Sequence, residues 1–191
     1  LGWYPNRAAR ALSAARADAC GLVLARPART IALEPFFMEF IAGVESELAT
    51  RSIALTLQLV RDVHEEIAVY RRWFGEHRVD GVLVVDLRLD DPRIDELVRI
   101  GLPAVVVGGP LEGDVLPAIW HNEAAVVTEA TRYLAALGHT RIAHVCGVAD
   151  FVHTRQRVKA FLDSVRELGL EGETVETDYS AESGARATRK L

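Results

Sequence analysis

Cysteine and methionine are scarce in this 191-residue chain, which holds two Cys and one Met. Cys20 and Cys146 stand far apart in apolar, strand-like runs. That placement predicts buried free thiols in a reducing compartment rather than a disulfide. No apolar run approaches the ~18 residues of a membrane helix. Residues 1–16 lack the apolar centre of a secretory signal, so a cytoplasmic protein with no membrane partner is expected. Phosphate-cradling motifs are missing as well: there is no GxGxxG and no P-loop. The nearest glycine cluster, Gly108-Gly109-Pro110-Leu111-Glu112-Gly113, follows a strand but runs into a loop instead of a helix. No GxSxG nucleophile elbow occurs. His64-Glu65-Glu66 has no second histidine on its helix face, as zinc would need. Asp90-Asp91 before Pro92 reads as a helix cap. These absences predict a protein that is not an enzyme and carries neither metal nor cofactor.

Positive charge is unevenly spread. The net charge is −5, yet Arg7, Arg10 and Arg16 give residues 1–16 a charge of +3 with no acid, which leaves −8 for the rest. An acidic body does not bind nucleic acid over its general surface, so any such contact belongs at the N-terminus. Asn6 is a good N-cap, and Arg7 to Ala15 are mostly strong helix formers. So short a helix needs a partner to order it. Half the residues are hydrophobic, enough for a sizeable core in one domain or two small ones.

The body alternates apolar runs with amphipathic ones. Strands are predicted at 20–25, 53–60, 79–86, 103–108, 118–120, 141–147 and 173–178. Helices are predicted at 35–51, 63–77, 92–100, 122–137 and 152–168, with another from Ser180 that the chain end cuts short. Near-continuous apolar strands, each followed by a helix, indicate a parallel α/β sheet covered on both faces.

Several short pieces, in order, carry a resemblance. They are Gly2-Trp3-Tyr4-Pro5-Asn6-Arg7-Ala8-Ala9-Arg10-Ala11-Leu12, Gly21-Leu22-Val23, Pro35-Phe36-Phe37 with Gly43-Val44-Glu45, and Val79-Asp80-Gly81-Val82. Pro103-Ala104-Val105-Val106, Asn122 with Ala124-Ala125, Leu137-Gly138-His139-Thr140-Arg141-Ile142-Ala143, Gly147, and Arg155-Gln156-Arg157 before Phe161 complete the set. In that order and spacing the chain resembles the lactose-repressor (LacI/GalR-type) family of bacterial transcription regulators. The resemblance implies a periplasmic-binding-protein-like fold of two Rossmann-like lobes with parallel sheets, the second lobe truncated, behind a short N-terminal hinge helix. It divides the chain into 1–18 (hinge helix and linker, the tail of a helix-turn-helix headpiece), 19–120 (N-terminal lobe) and 121–191 (C-terminal lobe, incomplete). Within the hinge helix, Leu12 matches the leucine that wedges into the minor groove, and Asn6, Arg7 and Arg10 would meet operator DNA.

Ligands of open α/β sheets bind beyond the carboxyl ends of strands, which the resemblance turns into an effector cleft between lobes. Phe36, Phe37, Arg61, Asp86, Trp120, Asp150 and His153 stand at those ends, and Arg157 matches the family arginine that grips the effector. Each has a plainer reading. Phe37 is equally a core residue, Arg61 a surface charge, Asp86 a helix cap and His153 a solvated helix start. Two positions depart from the family: Ala160 replaces a glycine, and His121 replaces a frequent acid. A ligand-responsive repressor is the leading reading, with operator DNA, a sugar-like small molecule and a second copy of itself as partners. A solute-binding protein of a transport system is the alternative, and a Rossmann-type enzyme ranks third.

Overall fold

A computed structural model describes residues 16–27, 34–111, 113 and 115–191. The expected hinge helix, with Asn6, Arg7, Arg10 and Leu12, lies outside the described residues. The described elements are β1 (Ala19–Leu24), α1 (Pro35–Thr50), β2 (Ala54–Leu59), α2 (Val63–Gly75), β3 (Gly81–Val84), α3 (Pro92–Ile100), β4 (Ala104–Val107), β5 (Ala118–Ile119), α4 (Glu123–Ala136), β6 (Arg141–Cys146), α5 (Val152–Glu167), β7 (Glu171–Glu176) and α6 (Ala181–Thr188). They form two compact units. The first holds residues up to Val85 with Asp91–Val106 and Leu111–Pro117. The second holds Asp86–Asp90, Val107–Pro110 and Ala118–Leu191.

The larger sheet has the order β2-β1-β3-β4-β5. Its first four strands pair in parallel, with Ala19 opposite Ala54, Cys20 opposite Gly81 and Val82 opposite Ala104. The β-branched content of β3 and β4 suits a pleated, buried surface. In β1, Leu22, Val23 and Leu24 are almost fully buried, as an interior parallel strand requires. Trp73 of α2 packs against Gly21: a Cβ there would come within 2.5 Å of the indole. Glycine is therefore what allows the helix to approach this strand.

The helices begin where local chemistry satisfies their free amides. The Asp62 carboxylate accepts from the His64 and Glu65 amides, each at 2.9 Å. Asp91 accepts from the Arg93 amide, Pro92 occupies the first turn, and Gly101 closes α3 at φ 72°. This proline-first, glycine-last arrangement is the one that helix ends favour. Helices α2 and α3 share a buried ionic cluster. The Arg93 guanidinium donates to Glu66 Oε1 at 2.8 Å and to Asp91 Oδ2 at 2.6 Å, while Tyr70 donates to Glu66 Oε1. Glu66 and Tyr70 are fully buried, and Arg93 nearly so. Burial pushes the Glu66 carboxyl above the usual range, against the pull of Arg93.

In the second unit, the Asn122 side chain caps α4 by accepting from the Ala125 amide at 3.0 Å. Strands β6 and β7 pair in parallel from Arg141 opposite Glu171 to Cys146 opposite Glu176. The predicted strand 173–178 thus starts and stops two residues earlier, because the Glu171 amide donates to Thr140 O and opens the ladder there. The final helix does not run into the chain end. It begins on a Ser180 cap and stops at Thr188, with Arg189 as C-cap. Both cysteines are free, Cys146 buried and Cys20 half-buried. No described helix is long and apolar enough to cross a membrane.

Candidate functional site

In the first unit, the chain leaving β1 and β2 frames a recess of about 490 Å³ lined by Arg26, Pro27, Leu59, Val60, Arg61 and Glu65. Arg61 extends into solvent and folds back onto Glu65, one helical turn on. The hydrogen bonds from Arg61 hold the Glu65 carboxyl below its usual range. Arg26 is buried. It donates to both carboxylate oxygens of Glu34, at 2.9 and 3.2 Å, and its guanidinium lies 5.1 Å from the centre of the Phe37 ring. The adjacent pair Phe36-Phe37 separates completely. Phe36 is 62% exposed, whereas Phe37 is 1% exposed. Phe37 therefore sits in the core, supporting Arg26 from below.

The second unit gathers more chemistry. Residues 86–90 lie against the loop after β6: the Leu89 amide donates to Asp150 O, and the Val152 amide donates to Leu87 O. Arg88 is thereby placed 2.7 Å from Asp150 Oδ2 and 5.1 Å from the centre of the Phe151 ring. Tyr179, which follows β7, turns its hydroxyl to His153 Nε2 at 2.8 Å and to Thr154 Oγ1 at 2.9 Å. Its ring stacks on Phe151 at 6.4 Å. Gly147 lies under that ring, where a Cβ would collide with it. Asp86 and Tyr179 both hold left-handed backbone, at φ 52° and 65°. Non-glycine residues in that region are uncommon and concentrate at functional sites.

One turn beyond His153 on α5, the Arg157 Nε donates to Glu123 Oε2 at 2.6 Å. Glu123 opens α4, and its other oxygen is 3.1 Å from His121 Nδ1. Nearby, His144 meets Phe161 edge-on at 5.3 Å. Burial lowers the His144 pKa, and the positive charge of Arg157 lowers it further. Trp120 follows β5 with half its surface exposed.

The expected site residues therefore fall into separate groups. Asp150 and His153 join one aromatic and hydroxyl-bearing cluster, while Arg157, on the same helix as His153, pairs with Glu123 of α4. Phe36, Phe37 and Arg61 belong to the first unit, and no single group contains them all. Sequence reasoning missed Tyr179, Glu123 and Arg88. A signal for Tyr179 existed: it follows a strand and precedes a helix, as the expected ligand residues do. Aromatic faces beside paired donors and acceptors can bind a polar ring compound. Among the described residues, no three His, Cys, Asp or Glu gather to hold a metal.

Residues 17–188 match the family described as periplasmic binding proteins and sugar binding domain of LacI family. The HTH-type transcriptional regulator CelR of Thermobifida fusca is 33% identical over 198 residues, covering all of this chain and 57% of that protein. The HTH-type transcriptional regulator RafR of Escherichia coli is 32% identical over 176 residues, covering 89% of this chain and 50% of that protein. A solved LacI family transcriptional regulator from Bifidobacterium animalis subsp. lactis DSM 10140 superposes with a TM-score of 0.80 at 30% identity, covering 92% of this chain and 62% of its own. A complex of the transcriptional regulator CelR with cellobiose gives 0.78 at 26% identity, covering 95% and 59%. The chain belongs to the family of periplasmic binding proteins and LacI-family sugar-binding domains. It spans 57% and 50% of the lengths of CelR and RafR.

Proposed function

We propose that this chain is the effector-sensing core of a ligand-responsive transcription repressor. Its membership of the sugar-binding LacI family, over residues 17–188, carries the reading. The grouping of Asp150 and His153 with the Phe151 and Tyr179 rings supports it locally. In this reading a sugar-like molecule is held by Asp86, Trp120, Asp150, His153 and Arg157 of the second unit. Operator DNA is met through Asn6, Arg7, Arg10 and Leu12, and the working form is a cytoplasmic homodimer. The protein senses its ligand and does not transform it: effector favours one arrangement of the core, and that difference in affinity is what reaches DNA.

The test is an operator titration of the full-length protein with and without added sugars, beginning with cellobiose. An effector should shift operator affinity, and Arg157→Ala should weaken effector binding by roughly 1.5–3 kcal/mol, the scale of a charged hydrogen bond. Leu12→Ala should weaken operator binding and leave effector affinity unchanged. Operator affinity that no sugar alters would remove the reading.

A further inference from the structure

We propose that Glu123 sets the charge selectivity of this site, so that it takes an uncharged, hydroxyl-rich ligand and rejects the phosphate ester of the same sugar. The inference rests on the effector reading and deepens it. A lone guanidinium accepts hydroxyls, carboxylates and phosphates alike, so Arg157 by itself selects nothing. The structure supplies what the arginine lacks. Glu123 holds Arg157 through its Nε at 2.6 Å, with the carboxylate itself only 14% exposed. Arg88, the arginine paired with a candidate residue of the second unit, is matched in the same way by Asp150. Arg155 is two positions from Arg157, a spacing that puts it on another face of α5. Among the candidate residues of the second unit and their ion-pair partners, the bases Arg88 and Arg157 are outnumbered by the acids Asp86, Glu123 and Asp150. A phosphate ester arriving at Arg157 would meet the Glu123 carboxylate beside it and lose more than it gains. A neutral polyol meets donors and acceptors side by side, which is what adjacent hydroxyls need.

The experiment measures binding to the full-length protein by calorimetry. The probes are glucose, galactose, cellobiose and maltose, with the 6-phosphates of the first two. Wild type should bind a neutral sugar at least about tenfold more tightly than its phosphate, a difference of about 1.4 kcal/mol. Glu123→Gln keeps an oxygen for the Arg157 Nε and removes the charge, and it should shift that ratio about tenfold toward the phosphate. Glu167→Gln, which removes an exposed carboxylate paired with Arg132, should leave the ratio alone and controls for general charge. Equal or tighter wild-type binding of a sugar phosphate would overturn the proposal while the effector reading stood. So would an unchanged ratio in a Glu123→Gln protein with a wild-type melting profile. Failure of both ligand classes to bind would strike the effector reading first, and this proposal with it.

Discussion

The two units each place an arginine against a carboxylate, under opposite conditions. In the first, Arg93 is sealed between Glu66 and Asp91, and all three side chains are at most 3% exposed. In the second, Arg157 meets Glu123 with its own side chain 38% exposed. The chemistry is the same and the consequence differs. Charges without water must be fully matched, because an unmatched one has nowhere to go. A half-wet pair keeps donors available and tolerates the loss of a partner. The buried cluster therefore holds α2 and α3 together, while the half-exposed pair leaves donors open to solvent.

Breaking the buried cluster tests this contrast most severely. Arg93→Met should leave Glu66 and Asp91 buried without their cation and cost about 3–5 kcal/mol of stability. Arg157→Met, at the half-exposed position, should cost less than about 1 kcal/mol. Urea unfolding of both variants measures the difference, and equal losses would abolish the distinction.

Gly147→Ala comes next. The new methyl group would fall on the Tyr179 ring, and the ring cannot retreat without leaving His153 and Thr154. A loss of about 1–3 kcal/mol is expected, the usual cost of overpacking. Altered Tyr179 ring resonances should accompany it. Unchanged resonances would show that the ring does not need the glycine.

Tyr179→Phe keeps the ring and removes its hydroxyl. Thr154 is 2% exposed and would lose one hydrogen-bond partner. Stability should fall by about 0.5–1.5 kcal/mol, and the His153 ring resonances should shift. Neither change would occur if the His153–Tyr179 contact were incidental.

The order of strands and helices was legible because parallel β/α units write themselves as apolar runs separated by amphipathic ones. Helix α3 came out at its observed bounds because Pro92 and Gly101 mark both ends chemically. Strand β7 was displaced because Glu171 and Gly172 carry no apolar signal. Its start is set by the β6 ladder, a partner that local pattern does not contain. Charges were harder still. Glu66 and Arg93 lie on amphipathic helices, where acids and bases read as solvated, and only their meeting across two helices reveals a buried cluster. Glu123 reads as a favourable acid in a first helical turn, and its pairing with Arg157 depends on two helices packing. Phe36 and Phe37 show the limit most directly, since adjacent identical residues have opposite burial.

The smallest effect expected concerns His144, through which the exposed pair also acts on its own unit. Burial is the larger cause of its lowered pKa, and the charge of Arg157 is the second. The ordinary histidine pKa is about 6.5. Below that pH the unfolded chain takes up a proton that the folded chain still refuses. This group's stabilising contribution is therefore complete above the ordinary value and is lost as pH falls through the lowered one. Arg157→Ala should remove the charge effect and leave burial in place. The His144 pKa should then rise part of the way, remaining below the ordinary value, and the acid-sensitive window should narrow from its low-pH side. Titration of the His144 ring signals by NMR measures this directly. An unmoved pKa would mean that Arg157 is already neutralised by Glu123 as His144 feels it. A complete return to the ordinary value would mean that burial contributes nothing and that His144 is wetter than its contact with Phe161 implies.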